Sequence, residues 1–229
     1  PAGAGGKNVS FVASGTLPNS RAVALKSDGT VEVIASEGAT QTIGTPTSAA
    51  TGSNIGDWTD VAYDTYSNKI IAVYEQGGNG CCSIGTVSGN TISFGTKVVF
   101  NSSNTSYIAV ACGGSTGKIM IVFKSDSNRP YGIIGVVSGT SISFGTRVTA
   151  DNNVIFGNAV VFDSNQNRFV HVYKGNNQGG PVAIIGTVSG TNTLTYDGKT
   201  TIDGDASEAT VVFDSNSNKV VVAYRDNGV

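Results

Sequence analysis

Residues Ile84–Phe100 read IGTVSGNTISFGTKVVF, and the stretch returns at Ile134–Ala150 as IGVVSGTSISFGTRVTA. A looser copy, IGTVSGTNTLTYDGKTTI, spans Ile185–Ile202. An internal period of about 50 residues is the mark of stacked supersecondary units, each burying its apolar faces on its neighbours. Working outward from these copies, every unit resolves into four short apolar runs. The first covers Trp58–Tyr63, Tyr107–Ala111, Asn158–Phe162 and Ala209–Phe213. A polar turn follows: DTYSNK at 64–69, GGSTGK at 113–118, DSNQNR at 163–168 and DSNSNK at 214–219. The second run is the most apolar: IIAVY at 70–74, IMIVF at 119–123, FVHVY at 169–173 and VVVAY at 220–224. A Gly- and Asn-rich loop leads to the third run. A Ser-Gly turn then leads to the fourth, the TISFGTKVVF segment.

No window carries a helical stripe, and β-branched and aromatic residues dominate each apolar run. The chain therefore reads as all-β, in short antiparallel strands joined by tight turns in which Asp, Asn, Ser and Gly fit the backbone. The second run is apolar on both faces, so that strand is covered on both sides. Four-stranded antiparallel sheets stacked face to face around an axis satisfy this, and the expected architecture is a β-propeller. A two-sheet sandwich leaves the 50-residue period without a cause. The expected layout is a lead-in and diverged blade at 1–56, blades at 57–105, 106–155 and 156–205, and a partial blade at 206–229. Five blades are expected, with four as the alternative. Within the lead-in, Ser27-Asp28-Gly29 predicts a hairpin turn. QTIGTPTSAA at Gln41–Ala50 echoes TISFGTKVVF. The start at Pro1 and the end inside an unfinished repeat suggest cuts through a longer polypeptide.

Only 13% of the 229 residues are charged, the net charge is −2, and 31 residues are glycine. A surface of neutral hydrogen-bonding groups suits an extracellular or particle-bound protein, and the absence of a basic stripe argues against nucleic-acid binding. No apolar run approaches the roughly 20 residues of a membrane helix, and no signal-peptide pattern is visible. Cys81, Cys82 and Cys112 have neither disulfide-framework nor zinc spacing and read as small apolar side chains on buried strands.

The GTVSGxSISFGxxVVF pattern (Ile84–Phe100, Ile134–Ala150) and the F-D-S-x-x-N-K-V-V-V-A-Y pattern (Phe162–Tyr173, Phe213–Tyr224) resemble a repeat of marine phage and virus proteins of tail-fibre or virion-structural type. The resemblance is strong over 57–229, and VASGTLPNSRAVALKSDGTVEVI near the start is similar to the segment that precedes such blades. It implies a virion or extracellular appendage whose partners are other virion proteins, copies of itself or host-surface glycans. A secreted multivalent lectin is the alternative. Gly113–Lys118 and Asp197-Gly198 depart from the repeat, both in turns.

No catalytic constellation emerges, and the chain reads as a non-enzyme without cofactor or metal. Gly113–Gly117 matches G-x-S-x-G, but its flanks are hairpin strands rather than the strand and helix of a nucleophile elbow. His171, the single histidine, lies between two valines in a buried-type strand. The Asp-Ser-Asn runs at 163–167 and 214–218 lack the Gly and Glu of a calcium loop and read as Asx-stabilised turns. Three N-x-[ST] sequons, beginning at Asn8, Asn101 and Asn104, are expected by chance in this composition. One repeated feature suits shallow ligand sites. Each second strand ends in an aromatic and a charge, Tyr74-Glu75, Phe123-Lys124, Tyr173-Lys174 and Tyr224-Arg225, beside loops that carry Asn79, Asn128, Asn176 and Asn177. Those twelve residues are the expected ligand contacts.

Overall fold

In the computed structural model, the described residues are 12–13, 16, 23–33, 43–125, 127–175, 179–204 and 206–227. The expected contacts Asn176 and Asn177 fall outside them. The chain divides into two units, Pro1–Ile43 and Gly44–Val229. In the first, β1 (Val23–Leu25) and β2 (Val31–Val33) form the expected hairpin. Gly29 takes φ 82° in its turn, and Asp28 Oδ1 accepts from the Thr30 amide.

The second unit holds the repeats. Its strands are β3 (Ile55–Asp64), β4 (Lys69–Gln76), β5 (Asn79–Ser88), β6 (Thr91–Phe94) and β7 (Val98–Asn101), then β8 (Ser106–Cys112), β9 (Ile119–Lys124), β10 (Pro130–Ser138), β11 (Ser141–Phe144) and β12 (Val148–Thr149). They continue with β13 (Ile155–Asp163), β14 (Arg168–Gly175), β15 (Pro181–Ser189), β16 (Thr193–Thr201), β17 (Ala206–Asp214) and β18 (Lys219–Asp226). Each sheet is an antiparallel meander: β3-β4-β5-β6, β8-β9-β10-β11, β13-β14-β15-β16 and the pair β17-β18. The first strands β3, β8, β13 and β17 pack successively against one another. This is the blade arrangement of a β-propeller. The described sheets comprise three complete blades and one of two strands, and they do not close into a ring.

The core explains the apolar second strands. Along β9, Ile119, Ile121 and Phe123 enter one cluster with Ile71, Val73, Ile84 and Phe100 of the preceding blade. Met120 and Val122 point the other way, toward Phe169 and Leu194 of the following blade. Alternate residues of a strand face opposite sides, so a strand sandwiched between blades is apolar throughout. β18 departs from that expectation. Val221 is 49% and Tyr224 40% exposed, because β17-β18 is two strands wide and meets a neighbouring blade on one face.

The fourth strand is broken in two blades and continuous in the third. After Phe94 and Phe144 the chain leaves the ladder at Gly-Thr and rejoins it as β7 and β12. A Cβ on Gly95 would overlap the Thr140 carbonyl oxygen, and one on Gly145 that of Asn192. Both acceptors belong to the Ser-Gly turn of the next blade. Gly44 meets Asn90 in the same way, so the described part of the echo, 43–50, reproduces the contact without a strand. Where Asp197-Gly198 replaces this Gly-Thr, β16 runs through with a register shift opposite Ala183–Ile185.

The Asp turns are Asx turns. Asp64, Asp163 and Asp214 accept from backbone amides two and three residues on, and Asn68, Asn167 and Asn218 close them at φ 54°. Gly114–Thr116 is one 3-10 turn between β8 and β9, as hairpin flanks require. Asn101 is buried, with its amide bonded to Thr105 and Ser125. Burial pushes the Cys82 and Cys112 thiols up to about 12, so both behave as apolar packing groups.

Candidate functional site at the axis

The first strands start earlier than their apolar patterns, because each contains a bulge. Pairing skips between Ile55 and Thr59, Ser106 and Ala109, Ile155 and Asn158, and Ser207 and Ala209. An extra residue in one strand bends it and re-aims its side chains. Counting back six residues from Asp64, Gly113, Asp163 and Asp214 reaches Trp58, Tyr107, Gly157 and Glu208 at equivalent places. Tyr107 and Glu208 take φ 50° and 47°, and Gly157 takes 141°. Left-handed backbone is costly for Tyr and Glu and costs Gly little.

These four residues converge. With Ile108, Phe156, Asn158, Ala209 and Thr210 they line a cleft of about 470 Å³ where the first strands come together, a volume in the range of small-ligand sites. Trp58 and Tyr107 pack with ring centroids 4.0 Å apart and planes tilted by 37°. The Lys124 ammonium lies 4.9 Å from the Tyr107 ring centroid, a cation–π distance. Phe156 is 49% exposed, and Glu208 is exposed on the same rim. Aromatic faces, an amide and a carboxylate thus share one concavity, with an ammonium against the Tyr107 ring.

The twelve expected contacts divide by chemistry. The aromatic members turn inward: Tyr74, Phe123 and Tyr173 are 3%, 0% and 1% exposed. Tyr74 shares a hydrogen bond with Ser83, and Tyr173 donates to Asp151 Oδ2. Burial raises both phenols above their ordinary pKa. None of these three rings offers a face to a ligand. Tyr224 keeps an exposed ring.

Two of the charged members turn toward the bulges. Lys124 reaches Tyr107, and Glu75 lies against Gly56, where a Cβ would meet its carboxylate. Arg225 pairs in register with Ser207 and bonds Asn227 Oδ1. Lys174 donates to the Gly179 carbonyl. The loop before Asn79 is a two-residue hairpin with Gly77 and Gly78 at φ 59° and 84°, a closed I′ turn in place of an open polar loop. Asn128, exposed at φ 60°, passes its carbonyl to the Ile155 amide. The structure therefore brings Lys124 against the Tyr107 ring, a wall of the axial cleft, and leaves the remaining positions dispersed. Trp58, Tyr107, Phe156 and Glu208, which line the cleft, are absent from the expected set. The available signal was divergence at one repeat position, four different residues at a fixed distance before the Asp turn.

His171 is fully buried and lies behind the cleft. Its Nε2 is 2.7 Å from Asn158 Oδ1 and its Nδ1 2.9 Å from the Tyr196 hydroxyl. Asn158 Nδ2 donates to the Tyr107 carbonyl at 3.0 Å. Desolvation lowers the His171 pKa to about 3, so the imidazole is neutral across the physiological range.

No family model and no curated protein matches the sequence. Solved structures do match. The Streptococcus pneumoniae NanB sialidase in complex with 2-[(3-chlorobenzyl)ammonio]ethanesulfonate aligns at TM-score 0.55 and 13% identity, over 74% of this chain and 28% of that one. NanB with Optactamide aligns at TM-score 0.52 and 13% identity, over 74% and 27%. A Trypanosoma rangeli sialidase aligns over 92% of this chain and 38% of its own, at TM-score 0.49 and 13% identity. The chain spans just over a quarter of the NanB structures. At that identity the likeness shows the fold. It also overturns the reading of the chain as a non-enzyme: the NanB structures that share its fold are those of a sialidase, so a missing sequence motif is no ground for excluding catalysis.

Proposed function

We propose that this chain is a carbohydrate-recognition propeller that takes a glycan in its axial cleft, as part of a virion appendage meeting a host surface. The observation behind the reading is the convergence of four bulges on one concavity lined by Trp58, Tyr107 and Phe156 beside Asn158, Glu208 and Lys124. A sugar ring has an apolar C–H face and a hydroxyl rim. Amphipathic aromatics match the first, and amide, carboxylate and ammonium match the second. The sialidase likeness supports glycosides as the ligand class, and the repeat's resemblance to tail-fibre proteins supports the virion setting.

Trp58 is the chain's single tryptophan, so the site carries its own reporter. Titration with a panel of oligosaccharides, sialyllactose among them, should change Trp58 emission saturably, and Tyr107→Ala should abolish the response. A fluorogenic sialoside in parallel reports hydrolysis. If neither emission nor isothermal titration registers any glycan, the reading fails.

A further inference from the structure

His171 belongs to a set of three polar residues confined to one blade. Aligning the repeats on the second strand places His171 where the preceding blade has Ile121. The same comparison sets Asn158 against Ile108 and Tyr196 against Phe144. Ile121 and Ile108 are buried in the apolar cluster between the first two blades, with Phe144 packed against it. The same backbone therefore folds with an apolar trio. A polar trio in its place must satisfy every buried group or lose stability.

The three do satisfy one another, and in one direction only. Asn158 donates through Nδ2 to the Tyr107 carbonyl, so its Oδ1 is the acceptor facing His171. A neutral imidazole has one N–H. The proton sits on Nε2 and donates to Asn158, which leaves Nδ1 to accept from the Tyr196 hydroxyl. The relay runs from β16 through β14 and β13 to β8 of the preceding blade. It ends on the carbonyl of Tyr107, the residue held at φ 50° beneath Trp58 and Lys124.

We infer that His171 is a positioning residue: through Asn158 it fixes the left-handed Tyr107 backbone and so the aromatic wall of the axial cleft. A residue in a strained backbone region persists when its surroundings over-determine it, and this relay supplies that determination from a neighbouring blade. The inference rests on reading the cleft as a binding site for its purpose, but the relay's effect on Tyr107 can be measured without ligand.

The test converts the third blade's trio to that of the second, Asn158→Ile, His171→Ile and Tyr196→Phe together, in the full chain. The fold should survive, as judged by circular dichroism and melting. Trp58 emission should shift, with acrylamide quenching altered, because its stacking partner is no longer held. Glycan affinity should fall about tenfold, the scale of one lost hydrogen bond. His171→Gln, which can still donate to Asn158, should restore much of the wild-type emission. Unchanged emission and quenching in the folded triple variant would overturn the inference. Should that variant not fold, Asn158→Leu alone removes the donor to the Tyr107 carbonyl, and an unmoved Trp58 signal there is equally fatal. An emission shift in a protein that binds no glycan would leave the positioning role standing and remove the binding reading.

Discussion

The rim of the blades and their axis show opposite relations between sequence and backbone. At the rim, Gly44, Gly95 and Gly145 each press against the turn carbonyl of the next blade, and the sequences flanking Gly95 and Gly145 are nearly copied. At the axis, a bulge recurs in each of the four described blades, yet the residues on it are Trp58, Tyr107, Gly157 and Glu208. Repetition of side chains marks surfaces that must stack. Repetition of backbone with divergent side chains marks a surface released from stacking, where left-handed Tyr107 and Glu208 hold an aromatic ring and a carboxylate at a strained position that glycine would fill at little cost.

The sharpest break in this comparison lies between Phe123 and Tyr224, one repeat position in two surroundings. Phe123 is 0% exposed between blades, whereas Tyr224 is 40% exposed. Phe123→Ala should cost about 3–5 kcal/mol. Tyr224→Ala should cost under about 1 kcal/mol, since little packing is lost at exposed sites. Urea denaturation of both variants decides it, and equal losses would mean that β18 is covered as β9 is.

Gly95→Ala comes next. Its Cβ would overlap the Thr140 carbonyl, which is backbone and cannot swing aside. The blades must separate locally, at about 1–3 kcal/mol. Gly204→Ala, with open space around its Cα, should stay within about 0.5 kcal/mol. Thermal melts of the pair distinguish an inter-blade contact from a general intolerance of added methyls.

The pH dependence of stability isolates the buried relay. His171 has its folded pKa lowered to about 3 by desolvation, against about 6.5 for an unperturbed histidine. Between those values the unfolded chain binds the proton and the folded chain does not. The contribution of this residue is complete above pH 6.5 and is lost progressively as pH falls toward 3. His171→Gln should therefore flatten the stability profile over that window relative to wild type. Parallel profiles would show that the imidazole titrates normally in the fold.

How much of this was legible in the sequence follows from the same contrast. Strand order, the Asx turns and the two-sided burial of β4, β9 and β14 could be read because packing demands repeat in every copy. The bulges could not. A bulge breaks the two-residue alternation on which strand reading depends, so the apolar pattern starts the first strands at Trp58 and Tyr107, whereas they begin three residues and one residue earlier. The aromatic-charge pairs were visible, but alternation sends neighbours to opposite faces. Phe123 had to be buried if Lys124 was to reach the Tyr107 ring. The polar trio of the third blade was hidden for another reason: His171, Asn158 and Tyr196 are far apart in sequence and meet through register.

The smallest effect separates stability from function most cleanly. Glu208 is exposed at φ 47° on the bulge that Gly157 occupies in the preceding blade. Left-handed backbone costs an L residue roughly 1–2 kcal/mol, and glycine's extra entropy in the unfolded chain returns part of that. Glu208→Gly should accordingly stabilise the fold by about 0.5–1 kcal/mol, read as a rise in the denaturation midpoint. The same change takes a carboxylate from the rim of the cleft, so the Trp58-monitored glycan response should weaken. Opposite signs in the two measurements would show the axis holding strain for the sake of its side chains. A variant that is more stable and binds as well as wild type would reduce Glu208 to an incidental occupant of the bulge, leaving Trp58, Tyr107, Phe156, Asn158 and Lys124 to account for recognition.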